Sequence, residues 1–441
     1  MPNCTVLARP VPPRPARWTL APLLAALGLA ACGTADDPPT ATAPAAPEVT
    51  WSVQEWTLPT ADSNAAQPDL VANGAGGLLL SWIEPDGEGH ALRFASYDGA
   101  AWSPAADIAR GGDWFVNWAD TPHVLATADG ALWAHWLQKS AAATYAYDVA
   151  LVRSGDGGAS WSAPVTVNDD GTPTEHGFVS LWPASGDSLG IAWLDGRETS
   201  GGHGGDGGDG GHGGGAMTVR TARIDAALAR HDEVRLDAMA CDCCQTDTAM
   251  TARGPLLVYR DRTAEEVRDI SVSRQAGGRW TPPRPVHADG WVMPACPVNG
   301  PAVAARGEDA VVGWYTAAGD VPTLKLARST DAGDTFQAPV AFESGAHVQG
   351  RVDVALGAED FWVLWVNEDR DGQSLHLGRW APDLSAERQR IEVARLQGRG
   401  RGTGFPQMAL RGDAVHLVWT DVVDRTPRLQ GRIVRPVADT P

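Results

Sequence analysis

Apolar and polar positions recur in blocks along this chain of 441 residues. Seven short apolar runs each end in an aromatic residue that is followed, two positions on, by a polar one. They are LLLSWIE (Trp82), LWAHWLQ (Trp136), LGIAWLD (Trp193), LLVYRD (Tyr259), VVGWYT (Trp314), FWVLWVN (Trp365) and VHLVWTD (Trp419). The aromatics stand 54, 57, 66, 55, 51 and 54 residues apart. A period in this range marks a repeat architecture. The runs are short and rich in β-branched and aromatic residues, which predicts strands. Helical patterning is almost absent, and 50 Gly and 32 Pro supply turns.

About 12 residues before each aromatic lies another apolar strand: PDLVA, PHVLA, FVSLW, TAMTA, PAVAA, VDVAL and PQMAL. A third and usually a fourth follow. Four strands per unit, A to D, are the pattern of a β-propeller blade. Fourth strands often open with Trp-Ser or Trp-Thr, as at Trp102-Ser103, Trp161-Ser162 and Trp280-Thr281. The last unit runs out after its strand C (LQGRIVRP), while Trp51-Ser52 supplies the missing opening at the other end. The expectation is an all-β chain. A single propeller of seven four-stranded blades spans residues 49–437, with an N-terminal strand D closing the last blade and removing free edges. Six blades is the alternative if one unit is incomplete.

The N-terminus has a different composition. Arg9, Arg14 and Arg17 precede the apolar run Trp18 to Ala31, which is short for a bilayer span. It ends in LAAC, Leu29 to Cys32. Small residues before a cysteine resemble the lipobox of bacterial lipoproteins. That resemblance implies a signal peptide over 1–31, acylation of Cys32 and loss of Cys4. No Asp follows Cys32, which by the same analogy implies the outer membrane of a Gram-negative cell envelope. Residues 32–48 read as a Pro-, Ala- and Thr-rich tether. The formal net charge is −19, and removing the leader with its three Arg and no acid leaves the remainder near −22. Nucleic acid and anionic headgroups are thereby disfavoured as partners. The implied membrane contact is through the lipid alone, and a glycan or protein partner in the envelope is left open.

Two units carry a sharper motif between strands C and D. SGDGGASW (Ser154 to Trp161) and STDAGDTF (Ser329 to Phe336) both fit S-x-D-x-G-x-[ST]-[WF]. Asp156 and Asp331 can bond turn N–H groups, Gly158 and Gly333 allow left-handed backbone, and Trp161 and Phe336 plug between sheets. The motif resembles the Asp box, or BNR repeat, of the sialidase superfamily, whose Asp boxes are structural. In that family the D-to-A and B-to-C connections surround the channel mouth. On that geometry Cys241, Cys243 and Cys244 of MACDCCQ open repeat four, and Cys296 of MPACPVNGP opens repeat five. The four should meet on adjacent loops. Three readings stand side by side: disulfides between the loops, a thiolate site for Cu(I) or Zn(II), and a redox-active dithiol. The Gly-rich loop after strand B of repeat three carries His203 and His212, an accessory metal collector or an incidental low-complexity insert.

Charged candidates for the same face are Asp195, Arg197, Arg260, Asp261, Arg262, Arg351 and Asp353, with Asp69 and His123 lining the channel. The sequence is also similar to a group of bacterial sialidase-like lipoproteins sharing CDCCQT, YRDR, CPVNGP and GFPQM. A sialidase needs three arginines on the substrate carboxylate and a Tyr–Glu nucleophile pair. The chain lacks the family's Phe-Arg-Ile-Pro motif, and spacing selects no triad among Arg197, Arg260, Arg262 and Arg351. No catalytic residue is assigned. The leading expectation is a lipid-anchored binding propeller with a Cys-rich, Cu- or Zn-binding mouth, ahead of an exo-sialidase-like glycoside hydrolase.

Overall fold

The computed structural model describes residues 51–60, 64–74, 76–199 and 215–436. The chain divides into two units, Met1–Glu48 and Val49–Pro441. The expected signal peptide (1–31) and tether (32–48), with Cys32, and the residues His203 and His212 lie outside the described residues.

The second unit is a seven-bladed β-propeller, all antiparallel within blades. Strands A of blades one to seven are Ala66–Ala72, Val124–Ala126, His176–Pro183, Asp247–Thr251, Ala302–Arg306, Val348–Leu356 and Gln407–Arg411. The six-blade alternative is set aside because every repeat forms its own sheet. In blade four the outer strand is split into two short pieces, Arg279–Trp280 and Arg284–Pro285, both paired to strand C. Strands D of blades one and two begin later than expected, at Ala106 and Val165. Trp102 and Trp161 precede them and pack inward instead. The last blade is closed as expected: Trp51–Glu55 pairs with Thr426–Pro436 from Trp51↔Pro436 to Glu55↔Arg432.

In blades one to three the aromatic-x-polar repeat has a local cause. Residues i and i+2 of a strand share a face, so the polar residue can receive the indole N–H. Trp193 Nε1 donates to Asp195 Oδ2 at 2.7 Å, Trp82 to Glu84 at 3.1 Å and Trp136 to Gln138 at 3.3 Å. The bulky ring is buried while its donor is satisfied. Seven clusters of buried apolar residues lie one at each blade-to-blade interface. The core is therefore a ring of interfaces rather than one interior.

Both S-x-D-x-G turns fold alike. Asp156 accepts from Ser160 N at 2.9 Å, and Asp331 from Thr335 N at 2.8 Å. Gly158 and Gly333 have φ of 90° and 82°. A Cβ on Gly158 would meet Phe94 at 2.1 Å, and on Gly333 would meet Leu256 at 2.5 Å, each on the preceding blade. The glycine is required twice, by backbone and by packing.

Around the channel, carboxylates staple neighbouring blades. Asp69 accepts from Val124 N (2.8 Å), Asp120 from Phe178 N (2.8 Å), Asp247 from Val303 N (2.7 Å) and Asp353 from Met408 N (2.6 Å). Each bond crosses from one blade to the next. Strands A of blades one, three and six carry register shifts, and Gln67, Phe178 and Arg351 there have φ of 57°, 50° and 56°. Such bulges re-aim side chains at a sheet end.

A candidate thiolate centre at the channel mouth

The segment Met239–Gln245 is fixed at both ends, by backbone at Ala240 and Cys241 and by the side chain of Gln245. Ala240 N donates to Met217 O, Cys241 N donates to Arg260 O, and Gln245 Nε2 donates to Ala119 O at 2.7 Å while its Oε1 receives Gly300 N at 2.9 Å. Gln245 thus ties the loop to those entering blades two and five. Asn299 does the same: its Oδ1 accepts from Arg351 N and its carbonyl accepts from the Arg260 guanidinium.

Three sulfurs converge on this frame. Cys241 Sγ lies 3.3 Å from Cys244 Sγ and 4.0 Å from Cys243 Sγ. All three lie within 4.8 Å of one another. Cys241 and Cys244 are 0% and 1% exposed. Cys296 arrives from the next D-to-A loop, and its thiol and that of Cys243 perturb one another. The loops that repeat spacing pairs are therefore adjacent. Of the three readings, the disulfide staple is not formed: all four cysteines are free, and Cys241 Sγ stands 3.3 and 4.0 Å from its two neighbours, beyond a bond of about 2.05 Å.

Charge around the sulfurs is uneven. Arg260 is buried and donates to Asn299 O, Arg268 O and Tyr315 O, with no carboxylate among its partners in the described residues; its guanidinium stacks 4.9 Å over Trp291. Arg268 is buried, pairs with Glu266 at 2.7 Å and interacts with the Cys241 sulfur. Hydrogen bonds from Cys243 and Cys244 hold the Cys241 thiol well below its ordinary range despite burial, and the Arg268 and Arg260 charges add to that. The neighbouring Cys243 is raised, chiefly by Cys241, and Cys244 is raised, chiefly by burial. The spacing Cys241-Asp242-Cys243-Cys244 also contains a C-x-x-C that the central Cys243 obscures.

A cavity of about 300 Å³ opens beside the sulfurs. Cys243, Cys296 and Asp242 form one part of its wall; Tyr147, Glu175 and Trp118 form others, with Arg401 among its lining residues. Tyr147 Oη donates to Glu175 Oε1 at 2.6 Å. Burial, reinforced by Asp120, Asp242 and Cys296, pushes Glu175 up to about 8, and burial raises Asp120 to about 7. Sequence reasoning did not find this pair, because its members come from two different blades and belong to no motif.

The other expected residues have structural partners. Asp195 is fully buried and bonded to Trp193 and Arg197; Arg197 also approaches Asp170 and Glu233. Asp170, His176 and Asp195 bring ligand atoms within 4.8 Å of each other. The Arg197 guanidinium stands 2.7 Å from Asp195 and 3.4 Å from Asp170, so the positive charge there is already supplied by the chain. Arg262 pairs with Glu266, and Asp261 accepts from Ser271. Arg351 gives its guanidinium to Thr403 Oγ1, Gly404 O and Gly400 O, and burial draws it down to about 10. Asp69 and His123 pair at 3.0 Å and line the channel with Asp353. A three-arginine carboxylate clamp is not assembled from Arg197, Arg260, Arg262 and Arg351.

No family model matches the chain, and no curated protein matches it in sequence. Similar solved structures include the polysaccharide lyase Uly1, at TM-score 0.50 and 7% identity over 86% of this chain and 90% of that one. The phage phi92 endosialidase gives 0.49 at 9% identity, over 89% and 70%. A Penicillium chrysogenum α-L-arabinanase complexed with arabinobiose gives 0.46 at 12%, over 84% and 94%. At such identities the likeness is one of fold.

Proposed function

We propose that this propeller is a lipid-anchored envelope protein that binds a soft metal ion, Cu(I) or Zn(II), through Cys241, Cys243 and Cys244. The observation that carries the reading is the convergence of three sulfurs within 4.8 Å on a loop fixed at both ends. Sulfurs about 2.3 Å from a tetrahedral ion sit about 3.8 Å apart, and the separations here bracket that value. Thiolate donors select soft ions. Buried guanidiniums from Arg260 and Arg268 offset the negative charge that thiolates bring into a dry site. Acylation at Cys32 would hold the molecule at the outer membrane.

The test is the metal content of protein purified without oxygen, alongside a Cys241→Ser, Cys243→Ser and Cys244→Ser triple variant. About one ion per chain, lost in the variant, is the expected outcome. Absence of stoichiometric metal after reconstitution with Cu(I) and with Zn(II) would sink the reading.

A second reading is a glycoside hydrolase, favoured by the Tyr147–Glu175 pair in the mouth cavity. Enzymes that process glycans occur among the structures of like fold. The arginines that would clamp a sialic acid carboxylate are otherwise engaged, which places this reading second. Turnover of a fluorogenic sialoside, abolished by Tyr147→Phe, would reverse the order.

A further inference from the structure

The four sulfurs differ in access. Cys241 and Cys244 are closed off from solvent, Cys243 is half-buried and Cys296 is exposed. Of these four, Cys243 and Cys296 line the mouth cavity, and the two buried ones do not. The sulfurs therefore form a path from the cavity inward, with Cys243 as the step shared by the outer pair and the inner trio. Their origins differ as well. The inner three belong to one four-residue stretch whose backbone is tied to blades three and four. Cys296 sits on the next loop, where Val292 is 60% exposed and Pro294 and Ala295 are also exposed.

A trio of sulfurs satisfies a low-coordinate soft ion without a fourth. A fourth thiol that is exposed, borne on a separate loop and facing the cavity has a different use. Thiolate-bound soft ions change partners by association: an incoming sulfur bonds to the metal before an outgoing one leaves. That step needs a thiol able to reach the ion from open space.

We propose that Cys296 is the exchange ligand of the site: Cu(I) enters through the mouth cavity, bridges Cys296 and Cys243, and passes to the Cys241–Cys243–Cys244 set, leaving by the reverse path. This rests on the metal-binding reading above. No electron is transferred. Each thiol that joins the ion releases its proton to water, and each sulfur that departs recovers one, so the ion remains Cu(I) throughout.

The experiment uses full-length protein loaded with Cu(I) under reductant without oxygen. Transfer of the ion to and from the chelator bathocuproine disulfonate is followed by the colour of its complex. Cys296→Ser is expected to retain about one ion per chain yet to transfer it roughly ten-fold more slowly in both directions, the lower end of what losing one metal-site partner does. Equal transfer rates would overturn the proposal. So would loss of stoichiometric binding in Cys296→Ser with an unchanged melting temperature, which would make Cys296 a permanent ligand. If the unsubstituted protein takes up no Cu(I), it is the metal-binding reading that falls. Cys241→Ser, which removes an inner sulfur, should lose the ion outright.

Discussion

At the residue scale the centre depends on groups that hold charge in a dry place. Cys241 is fully buried, and an isolated anion there would be costly. Its two thiol neighbours and the Arg268 guanidinium shift the balance toward the thiolate. Arg268→Gln should therefore raise the midpoint of the thiolate ultraviolet absorbance; an unmoved midpoint would show that the neighbouring thiols suffice. Glu175 behaves in the opposite sense. Its folded-state value of about 8 lies above its ordinary 4.5, so the folded protein binds this proton more tightly. That contribution to stability is complete below about pH 4.5 and is lost as pH rises toward 8. Within this window the slope is at most about 1.4 kcal/mol per pH unit. Glu175→Gln, neutral at every pH, should flatten this part of the stability profile in denaturant titrations between pH 5 and pH 8. A slope equal to that of the unsubstituted protein would assign it to other groups, such as Asp120.

At the scale of strands and loops, most of what was legible came from periodicity. The aromatic-x-polar runs located all seven strands B, because burial of a large ring on a short apolar strand is a local pattern; at Trp82, Trp136 and Trp193 the polar residue two positions on also receives the indole N–H. The Asp-x-Gly turns were legible for the same reason. The boundaries of strand D were not: Trp102 and Trp161 look like strand openings but are held by packing across blades, as in the 5.8 Å contact of Trp161 with Phe94. The Tyr147–Glu175 pair and the role of Arg268 depend on tertiary contacts that no local pattern encodes. The staples of the channel show how a carboxylate beside it can be structural. Asp247 takes N–H groups from Val303 and Thr248. In Asp247→Ala both donors lose the carboxylate at a half-buried site, and the loss should be at most about 1–3 kcal/mol for each donor left unsatisfied. The readout is the denaturant midpoint. A change within a few tenths of a kcal/mol would mean that water entering the channel replaces the carboxylate.

At the scale of the whole molecule, stability is distributed around a ring, so the ring's closure matters more than any one blade. Seven interface clusters each need a sheet on both sides. The last blade owes its fourth strand to the start of the described chain, where Trp51–Glu55 pairs with Thr426–Pro436. Trp51 also packs edge-on against Trp362 at 4.9 Å, with the Arg379 guanidinium 4.8 Å from its ring. This clasp ties blade seven to blade six from the outside. A chain beginning at Trp56 would lose five cross-strand pairs, each worth roughly 0.2–1 kcal/mol, together with the Trp51 contacts. It would also expose the unpaired edge of Thr426–Pro436, a template for association with other chains. Two measurements separate these effects. Thermal unfolding should shift to lower temperature, and size-exclusion chromatography should show association that grows with protein concentration. A truncated chain that stays monomeric and melts at the original temperature would show that the inner three strands of blade seven close the ring unaided. The thiolate loop supplies an internal control. It is held by blades two to five, on the other side of the ring, so metal stoichiometry in the truncated protein should survive wherever the fold itself does.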